Sequence, residues 1–467
     1  MKQTNLDVNT DKLQTTKKNS NLEPSLHELI DHKFFGTIIS KLSNISSEKL
    51  KNKVQEILKT INSDKINFYK IRRFIFEGLP DDIPSLRSIA WKLLFNYLPL
   101  DVNCWEDVID KRRAEYNKEK NEMYEKLELE IILKKKKESE RRTLEQNENK
   151  ELQRNHSENN SQAKVNNAHV SSTVSENITK INIKKKNTTD HPLSLTQNSK
   201  WKSYFDDLDL LEEIEKDVRR TRTHMHFFFM PSKTNTFPIS NEKITELADR
   251  KRNETGSDKL LSKGLFETNA DVMCRILFIY GKKNPHIRYV QGMNEVLAPI
   301  FYAFSNDQNP YFYLNLEADS YICFESFMNE IQDIFIRSKD NTVTGIQTRI
   351  KNLNSILKLL DRELHDHFKE EKVELQYFAF RWFTLFLTQE FEMPDILRIW
   401  DSILSHDDKF EFLNMVCLSI IKIKRNELLQ SDFSGIMLTL QNLDKLDVEK
   451  LLQNADVIRN ELEKNSD

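Results

Sequence analysis

The sequence predicts an all-α protein. Three observations carry the prediction: scarce glycine, apolar residues at helical spacing along most of the chain, and no Asn-Gly or Asp-Gly hairpin dipeptide. Only 8 of the 467 residues are Gly, where average composition would give roughly 33. Glycine supplies left-handed backbone, tight turns and phosphate-cradling loops, so its scarcity argues against a β-rich fold full of tight turns. Neither G-x-G-x-x-G nor G-x-x-x-x-G-K-[ST] occurs. That removes a Rossmann site and argues against a nucleotide bound in a P-loop of the chain's own.

The elements follow in order. Residues 1–25 are polar, lack an apolar period and read as a disordered tail. Residues 26–72 read as a helical N-terminal extension, with Leu26, Leu29, Ile30, Phe34, Phe35, Ile38, Ile39 and Leu42 at helical spacing and a further helix over 48–62. Residues 86–98 form a strongly amphipathic helix that starts after Pro84-Ser85 and stops at Pro99. Another runs from Trp105 to about Leu133. Between Tyr124 and Trp201 there is no Phe, Trp or Tyr, and 134–189 opens on KKKKESERR and continues rich in Asn, Ser, Gln and Lys. Such a stretch cannot bury enough apolar surface to order itself, and it reads as a disordered insertion. What lies outside the tail and the insertion is enough for one large or two medium domains. Helical periodicity resumes over 206–222, 269–282, 290–304, 317–336, 344–365, 375–391, 394–405, 409–427 and 444–463, with a polar, loop-like stretch at 231–262.

Composition narrows the class. The 70 Lys and Arg nearly balance 73 Asp and Glu, so no global charge draws the chain to nucleic acid or an anionic membrane. The four cysteines (Cys104, Cys274, Cys323, Cys417) are far apart with no C-x-x-C, and are expected to be buried free thiols of a reducing compartment. The N-terminus lacks an apolar signal region, and apolar runs such as 296–304 fall short of a ~20-residue span. A cytoplasmic location is expected.

Two short segments carry possible chemistry. In the first, Ile214, Asp217 and Arg220 are i, i+3 neighbours on one helix face, with Arg219 and Arg222 directed elsewhere. An Asp one turn before an Arg can hold the guanidinium's direction, though a charged surface helix would look the same. In the second, Tyr289-Val-Gln291-Gly292-Met-Asn294, a scarce glycine stands where a loop enters an apolar helix. The helix start offers free N–H groups, and Gln291 could hydrogen-bond a phosphate or a water. A simple helix cap with Tyr289 in the core would fit equally.

Taken together the segments resemble the TBC domain family of GTPase-activating proteins for Rab GTPases. Three signatures appear in order: R-x-x-x-W at Arg87–Trp91, I-x-x-D-x-x-R at 214–220 and Y-x-Q-G at 289–292. FEGLPDDIPSLRSIAWKLLFNYLP, RILFIYGKKNPHIRYVQGMNEVLAP, FAFRWFTLFLTQEF and DILRIWDSI are similar too, so the resemblance covers roughly 73–131 and 190–460. It implies two helical lobes with the active residues in a groove of the first. It places Arg220 at an arginine-finger position and Gln291 at that of a glutamine replacing the GTPase's own water-positioning Gln. Asp217 would orient the finger, and Arg87, Trp91, Tyr289, Gly292 and Asn294 would frame it. The insertion, which on this resemblance splits the domain into 73–133 and 190–463, and the crowded Arg219-Arg220-Thr221-Arg222 run depart from the family's pattern.

The resemblance further implies a GTP-bound Rab as partner, regulation of vesicle trafficking, transient recruitment to endomembranes, and a monomer. GTP and Mg2+ would belong to the partner, with no cofactor of the chain's own. The chain would be an activator rather than an enzyme. A catalytically silent Rab-binding adaptor of the same fold is the alternative.

Other residues suggest structural roles. Trp382 and Trp400 sit in apolar helices, and Asp395 and Arg398 are spaced as an ion pair. Asp401 is expected to cap or pair within the second lobe. His365 and His367 have an i, i+2 spacing that does not share a helix face.

Overall fold

The computed structural model describes residues 32–63, 65–127, 200–233, 267–340, 342–443 and 446–466. The expected tail (1–25), the insertion (134–189) and most of the loop-like stretch 231–262 lie outside the described residues. Within them the chain is helical, with no strand beyond an isolated bridge between Pro231 and Thr268. No helix among them is long and apolar enough to cross a membrane.

The N-terminal helices are α1 (His32–Leu42), α2 (Glu48–Ile61) and α3 (Phe68–Phe76). Ser47 and Asn67 cap α2 and α3, each side chain accepting a backbone N–H one turn on. The extension does not stand apart from the domain. The 72/73 boundary falls inside α3, and Phe34 and Phe35 of α1 pack on Trp105 with ring centroids 5.4 and 5.7 Å away.

The first lobe comprises α4 (Pro84–Leu94), α5 (Trp105–Lys120), α6 (Lys200–Arg220), α7 (Asn269–Lys283), α8 (Met293–Ser305) and α9 (Leu316–Ile331). The second comprises α10 (Ile346–Leu360), α11 (Arg362–Glu370), α12 (Gln376–Thr384), α13 (Met393–Ser405), α14 (Lys409–Ile423), α15 (Phe433–Gln441) and α16 (Val448–Ser466). α13 touches α3, α4 and α8 as well as α14 and α16, and so joins the lobes. At this junction Trp91, Trp400, Phe327 and Phe386 form an aromatic cluster with centroids 5.1–6.2 Å apart.

Several boundaries depart from the periodic pattern, each for a local reason. The run 344–365 breaks at Asp361, whose carboxylate caps α11. The run 409–427 breaks at Lys424, after which Arg425–Leu429 form a separate short helix. α15, capped by Asp432, lies between the predicted runs 409–427 and 444–463 and belongs to neither. The run 375–391 stays helical only to Thr384, and Phe386 and Leu387 take left-handed backbone at φ 49° and 62°.

Two buried carboxylates tie the first lobe together, and a third joins it to the second. Asp319 accepts both guanidinium bonds of Arg113 at 2.8 Å and the Tyr97 hydroxyl at 2.9 Å. Glu317 accepts Arg275 at 2.6 and 2.8 Å and Tyr116 at 2.7 Å. Asp401, on α13, accepts the Leu79 N–H at 2.9 Å and two side chains of α4 described below. Ion pairs of this kind survive burial because each carboxylate oxygen finds at least one donor.

Two further expectations are corrected. Cys104 is exposed, beside Asp101 at the start of α5, while the other three cysteines are buried. Asp395 and Arg398 do not pair. Arg398 instead reaches Glu449 of α16 and Ser402, because it lies on the α13 face turned toward them.

Candidate functional site

The site is built where α6 ends and α8 begins. α6 carries Ile214 and Val218 into the core and leaves Arg220 on its rim, the side chain 69% exposed. Asp217 is buried one turn earlier. Its Oδ1 accepts Arg220 Nη2 at 2.5 Å, and its Oδ2 accepts the Tyr289 hydroxyl at 2.9 Å. Arg220 Nε donates to the Lys216 carbonyl at 3.2 Å. Two of the five guanidinium N–H bonds are thus engaged, which fixes the plane of the fork and leaves the other three for an incoming acceptor.

The second half of the site is a turn fixed by Gly292 and Asn294. Gly292 caps α8 with φ 107°, and a Cβ there would meet Leu385 Cδ2 at 2.8 Å, so only glycine fits without strain. Asn294 Oδ1 accepts the Gly292 N–H at 3.1 Å, and its Nδ2 donates to Thr221 Oγ1 at 2.8 Å. One side chain therefore ties the glycine turn to the end of α6. Burial and the neighbouring Asp217 push the Tyr289 phenol well above its ordinary value, keeping it a protonated donor to that carboxylate. Gln291, between Tyr289 and the glycine, is exposed.

Arg220 and Gln291 line one groove of about 780 Å3. Asp217, Gly292 and Asn294 line it as well, with Glu295 and with Phe335, Phe380, Arg381 and Leu385 from beyond the first lobe. The groove therefore lies between the lobes rather than within the first alone.

Arg222 does not crowd Arg220. It has left-handed backbone at φ 44°, and its buried guanidinium donates to the carbonyls of Thr388 and, at 3.3 Å, Phe391. The turn 385–391 that ended α12 early is thus the receptor for Arg222. Glu295 lies 4.0 Å from Arg222 Nε. Burial raises its carboxyl above the ordinary range, and Arg222 partly opposes this.

Arg87 and Trp91 are not part of the groove lining. Their expected framing of the finger is corrected. Both side chains are buried on Asp401, with Trp91 Nε1 at 2.8 Å and Arg87 Nη2 at 3.0 Å. Arg87 also donates to the Leu79 carbonyl at 2.8 Å. The spacing R-x-x-x-W puts the two residues one turn apart, so both reach the same carboxylate on α13. Asp401 accordingly pairs across the lobe junction, where the sequence reading kept it within the second lobe. The i+4 spacing was visible in the sequence, but the position of the acceptor 310 residues away from Trp91 was not.

Glu295, Phe380 and Arg381 are among the groove residues that the sequence alone does not single out. Glu295 directly follows Asn294, and Phe380 and Arg381 lie in the apolar stretch read only as packing. Arg381 is held by the buried Glu390 through bonds of 2.6 and 2.9 Å. His367 Nε2 lies 3.1 and 3.0 Å from the carbonyls of Leu428 and Ser431, a structural contact between α11 and the turn before α15.

The chain is similar to known proteins over most of its length. A family model described as the Rab-GTPase-TBC domain matches residues 249–429, a stretch that includes Tyr289–Gly292 and leaves out Ile214–Arg220. TBC1 domain family member 13 of Homo sapiens is 31% identical over 439 residues, covering 87% of this chain and 97% of the relative. The Saccharomyces cerevisiae GTPase-activating protein GYP1 is 32% identical over 158 residues, 30% of this chain and 24% of that protein. Among solved structures, the Ypt/Rab-GAP domain of Gyp1p superposes with a TM-score of 0.56 at 20% identity, over 88% of this chain and 97% of that one. That likeness concerns the fold. With a relative above 30% identity aligned along nearly its whole length, and with the same helical architecture, the chain belongs to the TBC domain family.

Proposed function

We propose that the chain is a GTPase-activating protein for a Rab-type small GTPase, to which it lends Arg220 and Gln291. The observation that supports this most is the shared groove. An exposed arginine, aimed by a buried carboxylate, and an exposed glutamine, set by a glycine turn, line the same opening and are tied to each other by Asn294. In phosphoryl transfer, charge gathers on the oxygens around the γ-phosphoryl group, and a planar guanidinium neutralises it through paired hydrogen bonds. Arg220 would supply that fork, and Gln291 would orient the attacking water. GTP and Mg2+ would be held by the GTPase. Hydrolysis would switch off its membrane signal, as vesicle traffic requires, with transient endomembrane recruitment of an otherwise cytoplasmic monomer.

An arginine supplied in trans is worth roughly 10³–10⁵ in rate, or about 4–7 kcal/mol of barrier. The test is phosphate release from a panel of GTP-loaded Rabs. Arg220→Ala should lose at least roughly 10³-fold of the stimulated rate while its melting temperature is kept, because the side chain is exposed. Arg220→Lys should recover little, since lysine lacks the fork. Stimulation retained by Arg220→Ala would refute the assignment. Binding of a GTP-loaded Rab without any stimulation by the wild type would favour the adaptor.

A further inference from the structure

Beside the groove, the second lobe exposes aromatic surface that its own packing does not use. Phe380 lines the groove with Arg220 and Gln291 yet is 47% exposed. Tyr377, one turn earlier on α12 and on the same face, is 48% exposed. Its ring meets that of Phe433, at the start of α15, edge-on at 6.2 Å, and Phe433 is 42% exposed. Tyr377 and Phe433 thus form a pair bridging α12 and α15, and Phe380 stands one turn along α12 from it, at the groove wall. Within the groove, Val290, Ile334, Phe335 and Leu385 continue the apolar surface toward Gly292.

Large aromatic side chains half open to water lose little conformational entropy on docking and bury much area, which is why they serve as anchors in interface cores. We infer that Phe380, Tyr377 and Phe433 form the docking surface for the same GTPase whose nucleotide the groove addresses, gripping an apolar patch of its surface beside the phosphates. The inference rests on the function proposed above. Continuity selects the occupant: any protein whose phosphates come within reach of Arg220 must lie against the wall that Phe380 forms. Arg220 contributes mainly as charge develops in the transition state, so ground-state affinity has to come from neighbouring contacts. The three aromatic rings supply them.

The test separates affinity from turnover. Tyr377→Ala, Phe380→Ala and Phe433→Ala are assayed for stimulated hydrolysis, and for binding to the GTPase loaded with a non-hydrolysable GTP analogue. Phe205→Ala is the control. Phe205 is also exposed, at 45%, but lies on α6 about 22 Å before Arg220. Each of the Tyr377, Phe380 and Phe433 variants should raise KM and weaken binding roughly 5- to 30-fold, with kcat nearly kept, whereas Arg220→Ala should lower kcat and keep binding. Tyr377→Phe should restore the affinity. Melting temperatures close to the wild type's show that the variants are folded.

KM and binding unchanged in all three of these variants would overturn the inference. So would a concentration-dependent dimer of the wild type that the same substitutions dissociate without changing KM, since the occupant would then be a second copy. If the wild type binds the GTPase through these rings but does not stimulate it, the docking surface stands and the catalytic reading falls. If it binds no member of the panel, both fall.

Discussion

At the scale of single residues, the site depends on two buried side chains that hold others in place. Asn294 spans the glycine turn and the end of α6, and Asp217 holds both Arg220 and the Tyr289 hydroxyl. Gly292 is the point where this arrangement tolerates no side chain. Its φ of 107° is strained for any L-residue, and Leu385 closes on it. Gly292→Ala should cost about 1–3 kcal/mol in chemical denaturation and lower the stimulated rate by displacing Gln291. An Ala variant as stable as the wild type would show that the turn relaxes freely. The spacing of Tyr289, Gln291 and Gly292 was legible in the sequence because it is local. The partners of Asn294 were not, since Thr221 lies 73 residues away and only the packing of α6 on α8 brings them together.

At the scale of elements, the end of α6 is fixed by Arg222. Its guanidinium crosses from the first lobe to carbonyls of the turn 385–391, where Phe386 and Leu387 adopt left-handed backbone. Helical spacing alone extends α12 to residue 391, because the pattern records which residues are apolar and not where carbonyls must turn to meet a donor. Arg222→Met leaves those carbonyls and the buried Glu295 without their cation. It should destabilise the fold by roughly 1.5–3 kcal/mol and reduce kcat while Arg220 is intact, as measured by denaturant midpoint and single-turnover hydrolysis. Stability equal to the wild type's would show that water replaces the guanidinium. The R-x-x-x-W signature belongs to the same scale. Its two residues share a helix face as the sequence indicates, but their acceptor is Asp401 on α13, so they secure the lobe junction instead of the groove.

At the scale of the whole molecule, stability in acid depends on buried carboxylates. Burial alone would raise the Glu317 carboxyl, but Arg275, Lys120 and the Tyr116 hydroxyl outweigh it and hold the value down at about 2, against an ordinary 4.5. A depressed carboxyl contributes stability that is fully present above the unfolded value and lost as pH falls through the folded one. Between pH 4.5 and about 2 the wild type should therefore lose stability steeply, and Glu317→Gln should be less stable at neutral pH with a flatter acid limb. Equal slopes, read from denaturation midpoints across that range, would exclude Glu317 as a source of the loss. The sequence by itself determined the helical class, the order of most elements, and the local spacing within 214–220 and 289–294, because these follow from composition and spacing along the chain. Only the tertiary structure decided that Arg222 turns away from Arg220, that Arg87 and Trp91 serve the junction, and that Phe380 reaches the groove. Each of those outcomes depends on partners distant in sequence, whose approach is set by how α8, α12 and α13 pack.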